Sequence, residues 1–330
     1  MGNAPTNQIA PMTQPRPDTD DLMQAAWLYH VGQMSQEEVS QRLGISRFKV
    51  LRLLADARDR GLVRVTLEHE TTGTLALAAA LTDRFGLREV QVAPMPAGLT
   101  DEVIARRAVG MVAAGFLSRI GRSDGPLSIG VGWGRTLAAM VQAVSGLRNP
   151  HLCFVSLMGS MASMAVTNPF DVCTRLAALT GGSAKFLAAP FVTDSEADCR
   201  VVMNQRLVRE TLAAARACPY AIIGLGDCSA EALLYTSGLL TDAEARELVA
   251  VGAVADSTGK FFCADGTLAD TDLNRRAPSI GLDDLRATDV MLLAAGVNKT
   301  AATRALLRSG IVNRLVLDEA LANRLLEGDA

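Results

Sequence analysis

Two helix starts lie close together in the stretch Ser35-Gln-Glu-Glu-Val-Ser-Gln-Arg-Leu-Gly-Ile-Ser-Arg-Phe-Lys-Val-Leu-Arg-Leu-Leu54. Ser35, with Glu38 three residues later, is a capping box that begins a short helix, and Gly44 ends that helix. Ser46 is a second N-cap. The helix after it carries an apolar face made of Val50, Leu53, Leu54 and Ala57. Helix, tight turn and helix in this order form the pattern of a helix-turn-helix.

The flanking sequence extends this motif to residues 21–70. Apolar residues at helical spacing run from Leu22 to Tyr29, and Gly61 ends the third helix. The run Leu62-Val-Arg-Val-Thr-Leu67 then alternates in polarity as a short strand does. Together these features predict a winged or extended helix-turn-helix domain, whose third helix enters the major groove of DNA.

Basic residues concentrate in the same segment. The chain of 330 residues has a net charge of −3, yet residues 42–64 hold seven Lys or Arg against two Asp, a local charge of +5. Such a patch is the electrostatic footprint of a nucleic-acid-binding module. We therefore predict that a double-stranded DNA operator is a partner. The predicted contacts are Ser46, Arg47, Phe48, Lys49 and Arg52. The alternative is a solvated basic face on a small helical bundle.

The remainder of the chain predicts a tail, a linker and a second domain. Residues 1–20 hold four of the twelve prolines, so we expect a disordered tail there. Residues 71–88 are predicted to form a linker helix. Residues 89–330 are predicted to form a doubly wound α/β domain, because short apolar runs alternate with amphipathic stretches. The predicted strands are Glu89–Val92, Leu127–Val131, Cys153–Leu157, Phe186–Ala188, Ala221–Leu225, Val290–Ala294 and Arg314–Leu317, and the amphipathic stretches include Glu102–Arg119, Thr136–Ala143 and Ala197–Ala217.

A glycine-rich turn follows the second predicted strand, in Ser128-Ile-Gly-Val-Gly-Trp-Gly-Arg-Thr136. In a strand-to-helix turn, glycines let backbone N–H groups approach an anion, and the helix N-terminus favours negative charge. We predict an effector site at Gly132, Gly134, Arg135 and Thr136. The stretch is neither a Walker P-loop nor a full GxGxxG, so it does not indicate a dinucleotide. The alternative is a tight crossover that binds no ligand.

Three further candidates lie near the carboxyl ends of predicted strands, where open α/β sheets bind ligands. Lys299 could pair with a phosphate, and Asp227 and Asp256 could accept hydrogen bonds from the hydroxyls of a polyol. Taken singly, each of these residues is more often a turn or cap residue. Asp265-Gly266 predicts only a hairpin turn.

Several classes of protein are disfavoured. The longest apolar runs are far shorter than the ~18 residues of a membrane span, and no signal peptide is evident, so we expect a cytoplasmic protein. None of the six cysteines has metal-ligand spacing, and the three histidines are far apart. We therefore expect no metal site, no cofactor and no catalytic triad.

Both halves of the chain resemble the SorC family of bacterial transcriptional regulators. The similarity covers residues 28–54 and 57–63, Gly130-Val-Gly-Trp-Gly-Arg-Thr-Leu137, Gly224-Leu-Gly-Asp227, Gly259-Lys-Phe-Phe-Cys-Ala-Asp-Gly266, and Lys299 with Leu317-Asp-Glu319. The resemblance implies a large domain similar to sugar-phosphate isomerases and glucosamine-phosphate deaminases, used as a sensor. It implies that the glycine loop with Thr136, and Lys299, hold the phosphate of a small sugar or polyol effector, and that Asp256 binds hydroxyls. It also implies a homodimer or homotetramer.

Two residues of the third helix depart from the pattern of that family. Phe48 stands where proline is common, and Leu51 where a small polar residue is common. Leu51 either removes a base or phosphate contact or offers an apolar contact to a thymine methyl group. The sequence therefore predicts DNA binding without predicting the operator.

The function expected from these features is an effector-responsive transcriptional regulator of carbohydrate or polyol metabolism, not an enzyme. A second hypothesis is a sugar-phosphate isomerase or deaminase-like enzyme with an accessory helix-turn-helix, since paired carboxylates support proton transfer on a sugar. A third is an oligomeric interaction protein with a vestigial pocket. The basic cluster favours the first hypothesis, and the small number of histidines disfavours the second.

Overall fold

The computed structural model describes residues 17–60, 62–63, 72–96, 98–123, 125–161, 169–229 and 231–328. The chain divides into two compact units, Met1–Val65 and Thr66–Ala330. The small unit is helical, and the large unit is an α/β fold. Among the helices within the described ranges, none combines the length and the apolar character that crossing a bilayer requires.

The described residues of the small unit form three helices: α1 (Pro17–His30), α2 (Gln36–Leu43) and α3 (Arg47–Asp59). Both predicted caps are present. The Ser35 and Glu38 side chains each accept a hydrogen bond from the other's backbone N–H, and the Ser46 hydroxyl accepts from the Lys49 N–H at 3.2 Å. Gly44 ends α2 in the left-handed conformation that glycine favours, at φ +64°. These local rules fix the turn that presents α3.

The core of the small unit follows the predicted apolar pattern. Its buried members are Leu22, Ala25, Ala26, Val39, Val50, Leu53, Leu54 and Ala57. The tail prediction is wrong at its boundary, because α1 already begins at Pro17; proline is favoured in the first turn of a helix and does not prevent one from starting. Gly61 and residues 64–67 of the predicted strand lie outside the described residues.

In the part of the large unit that the structure describes, seven parallel strands form the main sheet, and three strands form a smaller antiparallel sheet. The main sheet contains β1 (Glu89–Ala93), β2 (Leu127–Val131), β3 (Leu152–Ser156), β4 (Ser183–Lys185), β5 (Tyr220–Gly224), β9 (Asp289–Ala294) and β10 (Arg314–Asp318), and the small sheet contains β6 (Gly226–Asp227), β7 (Ala253–Ser257) and β8 (Lys260–Cys263). The order in the main sheet is β1-β10-β9-β5-β2-β3-β4.

Helices cover both faces of the main sheet. The helices in the described part of the large unit are α4 (Thr72–Phe85), α5 (Glu102–Gly121), α6 (Arg135–Ala143), α7 (Pro169–Thr180), α8 (Glu196–Met203), α9 (Arg206–Arg216), α10 (Leu233–Thr236), α11 (Asp242–Ala250), α12 (Asp272–Arg276), α13 (Leu282–Arg286), α14 (Thr300–Arg308) and α15 (Glu319–Leu326), with a 3-10 turn at Val297–Lys299. Successive residues of β9 show the two layers. Val290 and Leu292 pack with α4, α14 and α15, whereas Met291 and Leu293 pack with α5, α6 and α7. Burial on both faces explains why the strands are continuous apolar runs.

The helix predicted as a linker, observed as α4, packs on β1 and α15 within the large unit, and its Leu81 is fully buried there. From β2 the chain builds the sheet outward through β3 and β4, and it then returns to the other side of β2 with β5. The order of strands therefore reverses between β2 and β5. Such a reversal opens a crevice at the carboxyl ends of the two strands.

Two predicted elements of the large unit are wrong. The strand expected at Phe186–Ala188 lies earlier, at β4, because Gly182 lets the backbone approach Leu152 closely, so that Ser183 already pairs with β3. The stretch Ala197–Ala217 is not one helix but two, since the chain turns at Asn204. Helix α8 then packs on α12, whereas α9 packs on β3 and β2.

The small sheet was not predicted. Its β7 and β8 form a hairpin whose turn residues, Thr258 and Gly259, both have positive φ (+49° and +76°). Asp265-Gly266 is a turn, as predicted: the Asp265 carboxylate accepts from the N–H of Thr267, and the chain returns to bridge Phe262 with Leu268. The small sheet places β6 and the end of β7 beside the crevice.

Candidate nucleic-acid interface and ligand cleft

Helix α3 presents a basic and partly apolar face to solvent. Arg47, Phe48, Leu51 and Arg52 are all exposed, while Val50 on the opposite face is buried. Leu51 lies four residues from Arg47 and three from Phe48, and Arg52 lies four residues from Phe48, so the four residues share one side of the helix. The structure thus brings together Arg47, Phe48 and Arg52 as the sequence predicts.

Two predicted DNA contacts are already engaged within the small unit. The Lys49 ammonium forms an ion pair with Asp21 of α1 at 2.8 Å, so it points toward α1 and away from Arg47 and Arg52. The Ser46 hydroxyl caps α3 and accepts from the Lys49 N–H. Among the described residues of the basic segment, Arg60 pairs with Asp56, whereas the remaining arginines, Arg42, Arg47, Arg52 and Arg58, form no ion pair. The basic surface is therefore made by arginine.

A cleft lies at the reversal between β2 and β5. Its walls come from the turn after β2, the turn after β5, the end of β7 and the end of β9. The residues that line it are Arg106, Trp133, Gly134, Arg135, Thr136, Gly224, Leu225, Gly226, Leu233, Leu234, Asp256, Ser257, Leu293, Ala295 and Lys299. Most of the predicted effector residues therefore belong to one site.

The N-terminus of α6 opens directly into this cleft. Gly134 is its N-cap at φ +119° and ψ +171°, a conformation that is essentially restricted to glycine. Because glycine has no side chain to cap the helix, the first N–H groups of α6 face the cleft with the positive end of the helix dipole. Arg135 and Thr136 begin the helix, and within the described residues Arg135 forms no ion pair.

Gly132 does not have the role that the sequence suggested. It is buried and does not line the cleft, and its N–H donates to the carbonyl of Ile222 on β5 at 2.9 Å. This bond extends the pairing of β2 with β5 by one residue. The N–H of Gly132 is thus already used and does not serve an anion.

Lys299 and Asp227 form an ion pair, which joins two residues that the sequence treated as separate. Lys299 follows β9 and Asp227 ends β6, and both side chains are largely buried. Burial alone raises the pKa of Asp227, but the hydrogen bonds from Lys299 and from Ser229 outweigh it and hold the pKa below its usual value. Asp227 is therefore ionised. The positive charge of Lys299 acts both on Asp227 and on the cleft.

Asp256 is the least satisfied group of the site. Its side chain is buried, with the residue 5% exposed, and no donor among the described residues hydrogen-bonds to its carboxylate. Burial raises its pKa to about 7; Lys299 opposes this shift, and the charge of Asp227 adds to it. Gly226 is required beside it, because a Cβ there would overlap the carboxylate. An unpartnered carboxyl group that lines a cleft is suited to hydrogen-bond a ligand.

Arg106 is a member of the site that sequence reasoning missed. It projects from α5, pairs with Glu102 at 2.8 Å, and its side chain is only 14% exposed. In the sequence, Arg106 is one of two adjacent arginines in α5, and nothing there shows which strand ends it reaches. Trp133 was also missed; it forms one wall and packs against Phe191 with ring centroids 5.8 Å apart.

The cleft therefore joins two kinds of chemistry. Arg135, Arg106 and the N-terminus of α6 favour an anionic group. Asp256, together with the Asp227–Lys299 pair, offers acceptors and donors to hydroxyl groups. Within the described residues, no group of three or more His, Cys, Asp or Glu side chains lies close enough together to hold a metal ion.

Known proteins match this chain over nearly its whole length. A family model for a sugar-binding domain matches residues 69–327. The erythritol catabolism regulatory protein EryD of Brucella abortus (strain 2308) is 34% identical over 311 residues, which are 94% of this chain and 98% of EryD. The transcriptional regulator LsrR of Escherichia coli O9:H4 (strain HS) is 30% identical over 315 residues, covering 94% and 95% of the two chains.

A solved structure shows the same fold over almost the full length. The sorbitol operon regulator SorC of Klebsiella pneumoniae superposes with a TM-score of 0.71, at 22% identity, over 95% of this chain and 100% of its own. Both the helical unit and the α/β unit thus have counterparts in one solved chain.

Proposed function

This chain belongs to the SorC family of transcriptional regulators with a sugar-binding domain, and we propose that its cleft binds a small polyol or sugar that carries a phosphate. Like these relatives, it is a transcriptional regulator and not an enzyme. Its DNA affinity responds to an effector bound by the large unit. EryD, by its name, regulates erythritol catabolism, which makes a four-carbon polyol the first candidate for this chain.

One observation carries the proposal: cationic and carboxylate groups face the same cleft from different strand ends. At one end, the first N–H groups of α6, the Thr136 hydroxyl and the Arg135 guanidinium converge on the position for a phosphate. Arg106 adds a second guanidinium from α5, steadied by Glu102. A planar guanidinium can donate two parallel hydrogen bonds to one phosphate in a fixed geometry, whereas a lysine ammonium acts as a point charge.

At the other end, the carboxyl group of Asp256 accepts from a hydroxyl of the effector. Lys299 has three N–H donors, and Asp227 takes one of them. The remaining donors serve a second hydroxyl or an oxygen of the phosphate. In this arrangement the Asp227–Lys299 pair orients the ammonium, and Trp133 with Leu225 covers the carbon chain.

We place DNA binding on α3 of the small unit, with Arg47 and Arg52 as the principal contacts. Helix-turn-helix proteins bind paired half-sites as dimers, so we propose a homodimer or homotetramer that acts on DNA in the cytoplasm. Arg42 and Arg58, exposed on the same unit, add attraction to the phosphate backbone.

Calorimetric titration tests the assignment of the cleft. Erythritol and erythritol 4-phosphate are titrated into the full chain and into Arg135→Ala, with Arg206→Ala as the matched control. Arg206 is also the first residue of its helix, α9, but it lies on the surface and pairs with Glu210. A charge-assisted contact is worth roughly 1.5–3 kcal/mol, so Arg135→Ala should weaken the phosphate ester about tenfold to a hundredfold and leave erythritol unchanged. The control should change neither.

Five- and six-carbon polyols and their phosphates are titrated in the same way. If only the five- or six-carbon compounds bound, the preferred chain length would change, and the assignment of the site would stand. Equal loss for the ester and the free polyol in Arg135→Ala would refute the phosphate position. If no polyol, sugar or phosphate ester bound at all, the proposed class of effector would be wrong.

A further inference from the structure

Two large apolar side chains stand exposed on the helix that faces DNA. Phe48 is 85% exposed and Leu51 is 43% exposed, and they lie three residues apart on α3. Residues at this spacing have Cβ atoms about 5–6 Å apart on the helix surface. Phe48 and Leu51 therefore form one apolar patch.

This patch takes no part in the core of the small unit. That core uses Val50, Leu53 and Leu54 on the opposite side of α3. Phe48 lies in the first turn of the helix, whose N-cap and backbone are fixed by Ser46 without help from the aromatic ring. An exposed phenyl ring contributes little burial to folding, and together with Leu51 it forms a contiguous apolar patch, which is the kind of feature that marks a contact surface.

Charge around the patch selects nucleic acid as its partner. Arg47 precedes Phe48 and Arg52 follows Leu51 on the same face, and neither guanidinium is paired within the described residues. The major-groove edge of DNA carries one purely apolar group, the C5-methyl of thymine. An apolar patch between two arginines matches a groove in which methyl groups lie between two phosphate backbones.

We propose that Phe48 and Leu51 read the methyl groups of two thymines in the operator, and that Arg47 and Arg52 hold the helix in register. The proposal rests on the proposed DNA-binding function and adds the base that is recognised. Successive base pairs rise 3.4 Å per strand, so side chains 5–6 Å apart contact thymines one or two steps from each other. Both contacts would select for T without a hydrogen bond to its edge.

The experiment uses the full chain and the tightest sequence that it selects from a random pool of duplex DNA. Each thymine of that sequence is replaced in turn by deoxyuridine, which pairs identically and lacks only the methyl group. Burial of one methyl-sized group is worth about fourfold in affinity, so replacement at the two contacted positions should weaken binding about threefold to fivefold each. The other thymines should tolerate replacement.

Two variants assign each methyl group to its side chain. Phe48→Ala should bind the thymine and uracil duplexes equally at one position, and Leu51→Ala should do so at the other. Both variants should keep the wild-type melting temperature, because both side chains lie outside the core. Val249→Ala, which removes an exposed apolar side chain from the large unit, should keep full discrimination at both positions.

The outcomes separate this inference from the function on which it rests. Selective DNA binding with no penalty for uracil, or with the same penalty in Phe48→Ala, Leu51→Ala and wild type, would overturn methyl reading and leave DNA binding in place. A selected site without thymine would do the same. If the pool yielded no bound sequence at all, both the inference and the DNA-binding function would be wrong.

Discussion

The raised pKa of Asp256 makes the stability of the large unit depend on pH in an unusual direction. A carboxyl group whose pKa is about 7 when folded and 3.8 when unfolded holds its proton more tightly in the native state. Between these two values the native state binds more protons than the unfolded state. Stability from this group is therefore fully present at low pH and is lost as the pH rises through 7.

The size of the effect follows from the two pKa values. Integration of the proton linkage between pH 5 and pH 8 gives a loss of roughly 2–3 kcal/mol for this single group. Asp256→Asn keeps the shape of the side chain and removes the titration. Relative to the Asn variant, the wild type should therefore lose that amount between the two pH values, which is about 5–10 °C in melting temperature for a unit of this size.

The chain supplies its own probe for the assay. It has two tryptophans, Trp27 in the small unit and Trp133 in the wall of the cleft. In a Trp27→Phe background, fluorescence during thermal unfolding reports on the large unit alone. Melting curves at pH 5 and pH 8, with and without Asp256→Asn, give the required double difference.

Asp265→Asn serves as the control, since hydrogen bonds from the Thr267 hydroxyl and N–H lower the pKa of Asp265. Stability from a lowered pKa is lost only below the unfolded value, so this substitution should have the same effect at pH 5 and pH 8. A double difference near zero for Asp256→Asn, or one in which the wild type gains stability toward pH 8, would refute the account of Asp256 as a buried carboxyl group without a partner.

Three further predictions concern single residues. Arg47→Ala should weaken operator binding by ~1–3 kcal/mol in a fluorescence-anisotropy titration. If Arg47 contacts a phosphate, the slope of log K against log salt should also fall by about one unit. Unchanged affinity would show that α3 is not the recognition helix. Gly134→Ala should lower the melting temperature, because its φ and ψ cost an L-residue about 1–3 kcal/mol, and an unaltered thermal unfolding curve would contradict the conformation given for the N-cap of α6. Lys299→Met should destabilise the chain by about 3 kcal/mol in urea unfolding, since it leaves Asp227 without its cation. Adding Asp227→Asn should restore most of the lost stability. No recovery in the double variant would show that the pair does not act as a unit.

Local rules made the small unit predictable from sequence. The N-caps at Ser35 and Ser46 and the left-handed Gly44 each depend on residues within one helical turn. The parallel strands were predictable for a related reason, since a strand buried on both faces must be an apolar run. Only β4 was misplaced, because its three residues, Ser183–Lys185, are not such a run.

No comparable sequence pattern predicts the small sheet or the division of α8 from α9. Strand β7 ends in Asp256 and Ser257, and β8 begins with Lys260, so neither shows the pattern of a buried strand. Asn204 interrupts the helical stretch without proline or glycine. The break arises because α8 and α9 pack on different partners, and those partners are set by the whole fold.

Part of the candidate site was predictable from the sequence, but Arg106, Trp133 and the pairing of the charged residues were not. Gly134, Arg135, Thr136, Asp256 and Lys299 all meet in the cleft, since strand ends converge at the reversal of a doubly wound sheet. The ion pairs of Lys299 with Asp227 and of Lys49 with Asp21 join residues that are 72 and 28 positions apart. Only the topology of the chain brings those partners together.

The most direct test of the account is the effect of the cleft on DNA affinity. Labelled DNA from upstream of the gene for this chain is titrated with the protein, and fluorescence anisotropy is followed with and without erythritol 4-phosphate or its longer homologues. One active phosphate ester should change the Kd for DNA about fivefold to 150-fold, and Arg135→Ala should need at least about tenfold more ester for the same change. A Kd that no polyol phosphate alters, or an ester response that Arg135→Ala leaves untouched, would contradict the claim that this cleft controls DNA binding.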